Sequence, residues 1–198
     1  MASPTAPTDC GGMVRAAVLA DVLAHLDRAS PGVRRRVEAA LSSRAREALA
    51  ETSRMGWLPV EIDVELTERL LSHFGRSALR RFSAGATLAA LEVPLLGGPA
   101  RLARAGLRPG PSTVFRAFAV GWKLSYRRMG VVAYRASPSD GGTLVFEGLP
   151  GVVLASEAMR LAFEGMVDAA VEHARTPLRV GEGRVSLAAR NLEIEVRR

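Results

Sequence analysis

Alternating apolar and charged residues close the chain. Residues 191–197 run Asn-Leu-Glu-Ile-Glu-Val-Arg, which is the pattern of a strand with one face in a core and the other in water. Two further strands are predicted over 131–136 and 143–147, because the segment between them is rich in Ser, Pro, Asp and Gly. The pattern therefore predicts an antiparallel sheet in this half of the chain.

Two amphipathic helices precede the strand pairs of this half. The first is predicted from Pro111 to Gly130, with one apolar face formed by Phe115, Phe118, Trp122 and Met129. The second opens at Ser156 and carries Met159, Phe163 and Ala170 at helical spacing. After it, strands over 177–180 and 184–187 are predicted around a turn at 181–183. This order reads helix, hairpin, helix, hairpin.

The first half of the chain is dominated by helical periodicity. Val14, Val18, Val22 and Leu26 repeat at helical spacing. Ser30-Pro31 and Asp63 are predicted to cap the starts of two later helices. Gly75 is predicted to end a helix in a left-handed turn, and further helices are predicted over about 77–91 and through Leu102.

The order of elements predicts an α+β protein in which a helical N-terminal half packs on a small antiparallel sheet of four to five strands. Residues 1–12 are predicted to form a disordered tail because they are Ala, Ser, Pro, Thr and Gly around one thiol. Residues 13–198 are expected to form a single domain, with a helical part over 13–110 and the helix-hairpin part over 111–198.

The composition is that of a globular protein, with 48% hydrophobic and 24% charged residues in 198. No apolar run approaches the roughly 18 residues that cross a bilayer, so membrane insertion is not expected. The first twelve residues lack the basic start and apolar stretch of a secretory signal. Cys10 is the only cysteine, which favours a reducing, cytoplasmic location.

The formal charge of +7 and the isoelectric point near 11.0 raise the question of nucleic-acid binding. All 27 basic residues except Lys123 are arginine, and they are spread along the chain beside acids. Nucleic-acid-binding segments usually cluster their charge. A mixed-charge, solvated surface is therefore the favoured interpretation, and binding to nucleic acid is disfavoured.

The sequence contains no recognisable catalytic or metal-binding motif. His25, His73 and His173 are far apart and have no second ligand at zinc spacing. Cys10 has no partner histidine, and neither a nucleophile elbow nor a phosphate-binding glycine loop is present. We therefore expect a protein that is not an enzyme and that holds no cofactor.

The helix that starts at Pro111 supplies the candidate ligand-binding residues, which are Phe118, Trp122, Tyr126 and Arg127. Its aromatic face could hold an apolar group, and its basic residues could hold an anionic one. Gly121 would allow a ligand or another backbone to approach the helix closely. The alternative is that the aromatic residues are core and the basic ones solvated. A basic cluster over 76–81 is a second candidate, with a surface turn as its alternative.

Several short segments resemble an uncharacterised domain family that is largely restricted to myxobacteria. The similar segments are Gly56-Trp57-Leu58-Pro59-Val60-Glu61, Phe74-Gly75, the helix over 115–128 with Tyr134-Arg135 after it, Phe163-Glu164-Gly165 and the alternating last strand. More remotely, that family resembles the fold of four-vinyl-reductase domains, haem-NO-binding domains and TRAPP-type subunits. The resemblance implies a helical layer on an antiparallel sheet, and a role in small-molecule sensing or dimeric scaffolding.

The haem-binding features of that fold do not carry over to this sequence. Haem-NO-binding domains use a proximal histidine and a Tyr-x-Ser-x-Arg motif. Here Tyr126 is followed by Arg-Arg-Met, and Tyr134 by Arg-Ala-Ser. Cys10 alone also cannot supply the metal or thiol pattern of four-vinyl-reductase domains. Only the scaffold is implied, and a fold does not by itself specify function.

The leading functional hypothesis is a non-enzymatic sensory or scaffold domain in bacterial signalling or regulation. It would bind a small ligand or a protein partner and could form a homodimer. The alternative is an arginine-rich regulator that binds nucleic acid.

Overall fold

The distribution of apolar residues produces eight helices and seven strands in the described part of the chain. The computed structural model describes residues 11–91, 110–137, 141–173, 175 and 177–198. In chain order the elements are β1 (Met13–Arg15), α1 (Ala16–Ala29), α2 (Val33–Ala39), α3 (Ser43–Glu51), β2 (Trp57–Pro59), α4 (Val60–Phe74), α5 (Arg76–Leu91), α6 (Pro111–Ser125), β3 (Tyr126–Arg127), β4 (Val131–Ala136), β5 (Gly142–Glu147), α7 (Gly151–Ala155), α8 (Glu157–His173), β6 (Arg179–Ser186) and β7 (Asn191–Arg197).

The strands form two antiparallel sheets. The larger has the order β4-β5-β7-β6, and the smaller has the order β2-β1-β3. In β7 the side chains of Leu192, Ile194 and Val196 are buried while the residues between them are more exposed. The α+β class and the alternating last strand are therefore confirmed. The smaller sheet, which joins the N-terminal helices to the end of α6, was not predicted.

The helices α5 and α8 cross at close range, and Gly165 makes this approach possible. A Cβ atom at Gly165 would lie 2.3 Å from the backbone oxygen of Arg80 and 2.9 Å from the side chain of Ser83. Real Cβ atoms do not tolerate such distances from a backbone atom, because interiors are close-packed. Gly165 therefore sets how closely the N-terminal helices approach the C-terminal half.

The carboxylate of Glu164, next to Gly165, is almost completely buried, with 1% of its surface exposed. It accepts hydrogen bonds from the Arg80 guanidinium at 3.1 Å, from Arg160 at 2.7 Å and from the Gly183 amide at 2.8 Å. Arg80 also forms a bidentate pair with Asp168. These bonds compensate the cost of burying the charge and join α5, α8 and β6.

The turn predicted at 181–183 is wrong. β6 runs without interruption from Arg179 to Ser186, and an irregularity between Val180 and Gly183 absorbs the extra residues. The Gly183 amide donates to the buried Glu164 instead of closing a turn. A β-bulge can accommodate glycines within a strand, so Gly181 and Gly183 do not have to form a turn. The chain reverses later, through residues 187–190.

Two predicted helix caps are also wrong. Ser30 follows the end of α1, and α2 begins only at Val33, after a left-handed Gly32. Asp63 lies inside α4, which begins at Val60, and its side chain is buried. Local capping rules assign both residues to helix starts. In the structure, Ser30 instead lies in the turn between two helices, and Asp63 is buried inside a helix near Tyr126. Gly75 ends α4 with a positive φ of 75°, but its ψ of 172° lies outside the predicted left-handed helical conformation.

The helix over 111–130 is shorter than predicted. α6 ends at Ser125, and the next two residues pair with β1 as β3. Met129 is buried but lies beyond the helix. Residues 1–10 of the predicted tail and the predicted helix through Leu102 lie outside the described residues, whereas Gly12 is described and its carbonyl accepts from the Val60 amide. Among the helices that the structure describes, none has the length and apolar character to cross a bilayer.

Replacing Gly165 by Ala is predicted to lower the free energy of unfolding by at least about 2 kcal/mol, because the new methyl group would overlap α5. Chemical denaturation monitored by circular dichroism measures this change.

Gly121→Ala in α6 is the matched control, because no described atom lies within 4 Å of a Cβ placed there. It should raise the free energy of unfolding by roughly 0.5–1 kcal/mol. Equal effects of the two substitutions would contradict the close crossing.

Candidate ligand-binding site

One face of α6 is directed into the core. Phe115 and Trp122 are buried and Phe118 is partly buried on this face, as the helical spacing predicts. Trp122 lies at the centre, with ring-centroid distances of 5.2 Å to Phe146 of β5 and 5.3 Å to Phe163 of α8. The core between α6 and the larger sheet is therefore packed with rings.

The rings form a continuous aromatic cluster of Phe118, Trp122, Tyr126, Phe146 and Phe163. Phe146 and Phe163 stack with centroids 5.3 Å apart, and Phe118 meets Phe146 edge-on at 6.1 Å. Tyr126 lies 4.3 Å from Trp122. Such pairs stabilise a core beyond their buried area.

Buried polar atoms adjoin this cluster. The Tyr126 hydroxyl lies 3.4 Å from one carboxylate oxygen of Asp63, and the Thr67 hydroxyl lies 3.5 Å from the other. Both contacts are long for bonds between oxygens. Within the described part of the chain, the Trp122 Nε1 atom is buried without a hydrogen-bond partner. The region between α4 and α6 thus contains polar groups that the protein satisfies only weakly.

Burial controls the ionisation of these groups. It raises the pKa of Asp63 to about 7, and the hydrogen bonds from Tyr126 and Thr67 lower it less than burial raises it. Burial, followed by the nearby Asp63 carboxylate, raises the pKa of Tyr126 well above its usual value. Asp63 is therefore a core carboxyl group that is half protonated near neutral pH.

The four residues predicted to bind ligand do not share one surface. Phe118, Trp122 and Tyr126 belong to the aromatic cluster, whereas Arg127 lies on the opposite face of β3, since successive strand residues alternate. The Arg127 guanidinium carbon is 4.1 Å from the centroid of the Trp57 ring. The assignment of the four residues to a ligand stays a prediction.

A cleft of about 310 Å³ opens between α6 and β4. Its lining residues are Ser112, Phe115, Arg116 and Ala119 from α6, and Val132, Ala133, Tyr134 and Ala136 from β4. The rings of Phe115 and Tyr134 lie 4.7 Å apart, and the Tyr134 hydroxyl donates to the Gly141 carbonyl at 2.8 Å. We call this space the α6–β4 cleft.

The charge of the α6–β4 cleft comes from Arg116. This exposed residue forms no ion pair or side-chain hydrogen bond with the part of the chain that the structure describes. Many other arginines there are neutralised by acids: Arg34, Arg54, Arg76, Arg80, Arg135, Arg160, Arg184 and Arg197 all form ion pairs. Their pairing matches the mixed-charge surface that the sequence favoured.

The histidines occupy three separate helices. His25 packs against Phe82 with a centroid distance of 5.2 Å, and burial lowers its pKa. His73 meets Phe74 edge-on in α4, and His173 ends α8. No group of three or more His, Cys, Asp or Glu side chains among the described residues could hold a metal ion.

Comparison with solved structures identifies the fold. No protein-family model matches the chain, and no curated protein matches it. Among solved structures it is similar to the Fe(II) unliganded form of a mutant H-NOX protein from K. algicida, with a TM-score of 0.62 and 8% identity over 92% of this chain and 95% of that one.

Other H-NOX structures give the same result. An H-NOX protein from S. oneidensis in the Fe(II)NO state matches with a TM-score of 0.55 and 8% identity, over 92% of this chain and 97% of the other. A structure from work on haem distortion in the H-NOX family matches with a TM-score of 0.58 and 9% identity, over 92% and 94%. The chain therefore has the fold of H-NOX, or haem-NO-binding, domains.

The residues of this chain do not fit a haem group. Haem iron is held in proteins by His, Cys, Met or Tyr, and none of these occurs anywhere in residues 74–125, which include all of α5 and α6. The core side of α6 is also filled by the aromatic cluster, with Trp122 only 3% exposed. Over residues 74–125 the H-NOX fold is thus shared without an iron ligand.

The sequence indicated the aromatic cluster but not its polar neighbours. The sequence predicted Asp63 to be a helix cap. Its contact with Tyr126 joins residues that are far apart along the chain, so local sequence patterns do not reveal it. Arg116 and Tyr134 were also missed as lining residues. The spacing of Ser112, Phe115, Arg116 and Ala119 on one side of α6 is the signal that could have indicated a second helix face.

The raised pKa of Asp63 predicts a pH-dependent stability. Between about pH 4 and 7 the folded protein keeps a proton on Asp63 that the unfolded chain has lost. The free energy of unfolding should therefore fall as the pH rises through this window, by at most about 1.4 kcal/mol per unit. Asp63→Asn should remove this contribution, as measured by urea denaturation across the same pH range.

Glu61→Gln, an exposed acid on the same helix, serves as the control and should leave the slope unchanged. A wild-type slope that persists in Asp63→Asn would contradict the buried, protonated carboxyl.

Proposed function

We propose that this protein is a non-enzymatic sensory domain that binds a small, partly anionic ligand in the α6–β4 cleft and does not use haem. The observation that carries this proposal is the cleft itself, which combines aromatic and aliphatic walls with one cation lacking an acidic partner in the described structure. The H-NOX-like fold supports a sensory role, although the fold alone does not specify one.

The size and lining of the α6–β4 cleft suit a small organic molecule. Its volume of about 310 Å³ falls at the lower end of the usual range for ligand pockets, about 300–1,000 Å³. Phe115 and Tyr134 offer ring surfaces, and Ala119 and Ala133 leave room between the helix and the strand. An aromatic or aliphatic body would lie against these side chains.

Arg116 would bind the anionic end of the ligand. Its guanidinium offers up to five N–H donors in a planar arrangement that matches a carboxylate or sulfonate. The Ser112 hydroxyl lies one helical turn before it and offers a further donor. A ligand bound in this way would also contact Phe115, which is buried in the core and packs against Tyr134.

The same fold and the sequence also support a proposal for the wider setting. We infer a role in bacterial signalling, in the cytoplasm, with a protein partner or a second copy of the chain receiving the signal. The proposed relation to the myxobacterial domain family is supported only by the resemblance of the short motifs quoted above. The absence of a catalytic motif supports binding rather than catalysis, and the pairing of surface arginines with acids disfavours nucleic acid as the main partner.

Titration with anilinonaphthalene sulfonate, an aromatic anion that fluoresces when bound to apolar surface, tests the proposal. The wild-type protein should bind it saturably. Arg116→Gln should weaken binding by about tenfold, because one charge-assisted contact is lost. Ala119→Phe should weaken it at least as much by filling the cleft.

The control is Arg69→Gln, which removes an equal charge from an exposed site on α4 and should leave the affinity unchanged. Circular dichroism spectra identical to wild type would show that the variants are folded. Unchanged binding in both Arg116→Gln and Ala119→Phe would exclude the α6–β4 cleft as the ligand site.

A further inference from the structure

The outer face of the smaller sheet holds two arginines against one tryptophan. The guanidinium carbon of Arg15 in β1 lies 4.2 Å from the centroid of the Trp57 ring in β2, and that of Arg127 in β3 lies 4.1 Å from it. The inner face of the same strands is apolar and buried. We call the group of Arg15, Trp57 and Arg127 the Trp57 face.

The position of Arg15 is fixed by further bonds. Its Nε atom donates to the Leu124 carbonyl at 3.0 Å, and its Nη1 atom donates to the Met55 carbonyl at 2.9 Å. Arg15 thus ties the end of α6 to the loop before β2, which gives it a structural role. These two bonds use only part of its donor capacity, since a guanidinium has five N–H groups.

Arg127, unlike Arg15, does not join two parts of the described structure through hydrogen bonds. Its side chain is exposed, and it makes neither a hydrogen bond nor an ion pair with the described residues. Among the described residues, Trp57 is the contact that positions this side chain. A cation over an indole gains about 0.5–1 kcal/mol at an exposed site, which orders the side chain while leaving all of its donors free.

The charges of the Trp57 face are uncompensated. Within the described part of the chain, neither arginine has a carboxylate within ion-pair distance, and the nearby Arg54 is already paired with Asp21. Because both guanidiniums approach the same ring, they lie within roughly twice the 4.2 Å distance of one another. Like charges at up to this separation repel each other weakly in water, and an anion that contacts both removes that repulsion.

We propose that the Trp57 face is a binding site for a phosphate group, separate from the α6–β4 cleft. A phosphate dianion neutralises both cations, and its oxygens can accept from two guanidiniums at once. A carboxylate carries one charge and two oxygens, which a single arginine already satisfies. The proposal does not depend on the ligand of the cleft.

Binding of inorganic phosphate and of phenyl phosphate at about pH 8, where a phosphate ester is a dianion, tests this site. Trp122→Phe leaves Trp57 as the only tryptophan, so its fluorescence reports binding directly. The phosphorus NMR line width gives a second readout with the unaltered chain. Sodium chloride keeps the ionic strength constant, and acetate serves as the carboxylate probe.

We expect saturable binding of both phosphates that Arg127→Gln weakens by about tenfold. Arg128→Gln is the matched control, because it removes an equal charge from the next residue, whose side chain does not contact the ring, and it should weaken binding less than about twofold. Binding of phenyl phosphate alone would assign the site to an organic ester, whereas binding of both supports the shared phosphate group.

Three results would overturn the proposal: no saturable binding of either phosphate, equal losses in Arg127→Gln and Arg128→Gln, or acetate binding as tightly as phosphate.

Discussion

The buried carboxylate of Glu164 is the point on which the two halves of this protein converge. It takes hydrogen bonds from α5, from its own helix and from β6. Loss of both arginine partners would leave its charge unpaired in the core, at a cost of about 3–5 kcal/mol. Gly165 beside it lets α5 and α8 approach without a side chain between them. Together the two residues fix the distance between the helical layer and the larger sheet.

That fixed distance determines where space remains between the layers. The space between α6, β5 and α8 is filled by the aromatic cluster, and Phe146 and Phe163 are fully enclosed in it. Free space remains at the edge of the sheet, where α6 lies over β4 and small side chains such as Ala119 and Ala133 line the cleft. The chain thus shares the H-NOX fold, and in the described part of the core beside α6 the space is filled by its own rings.

How much of this the sequence could predict depends on the distance over which each interaction acts. The alternation in β7 and the apolar spacing in α6 are local, and both predicted the correct elements. The bulge in β6 could not be predicted, because it depends on Gly183 reaching Glu164. The buried position of Asp63 depends likewise on Tyr126, and the Trp57 face on three strands that are distant in sequence.

The central claim is that this chain shares the H-NOX fold but does not bind haem, because residues 74–125 contain no iron ligand and the aromatic cluster fills the described core beside α6. The most direct test is a haemin titration of the purified protein, followed by absorption spectroscopy. The account predicts no saturable, equimolar change in the Soret band. A stoichiometric complex with a sharp Soret band, lost when His25, His73 or His173 is replaced, would contradict it.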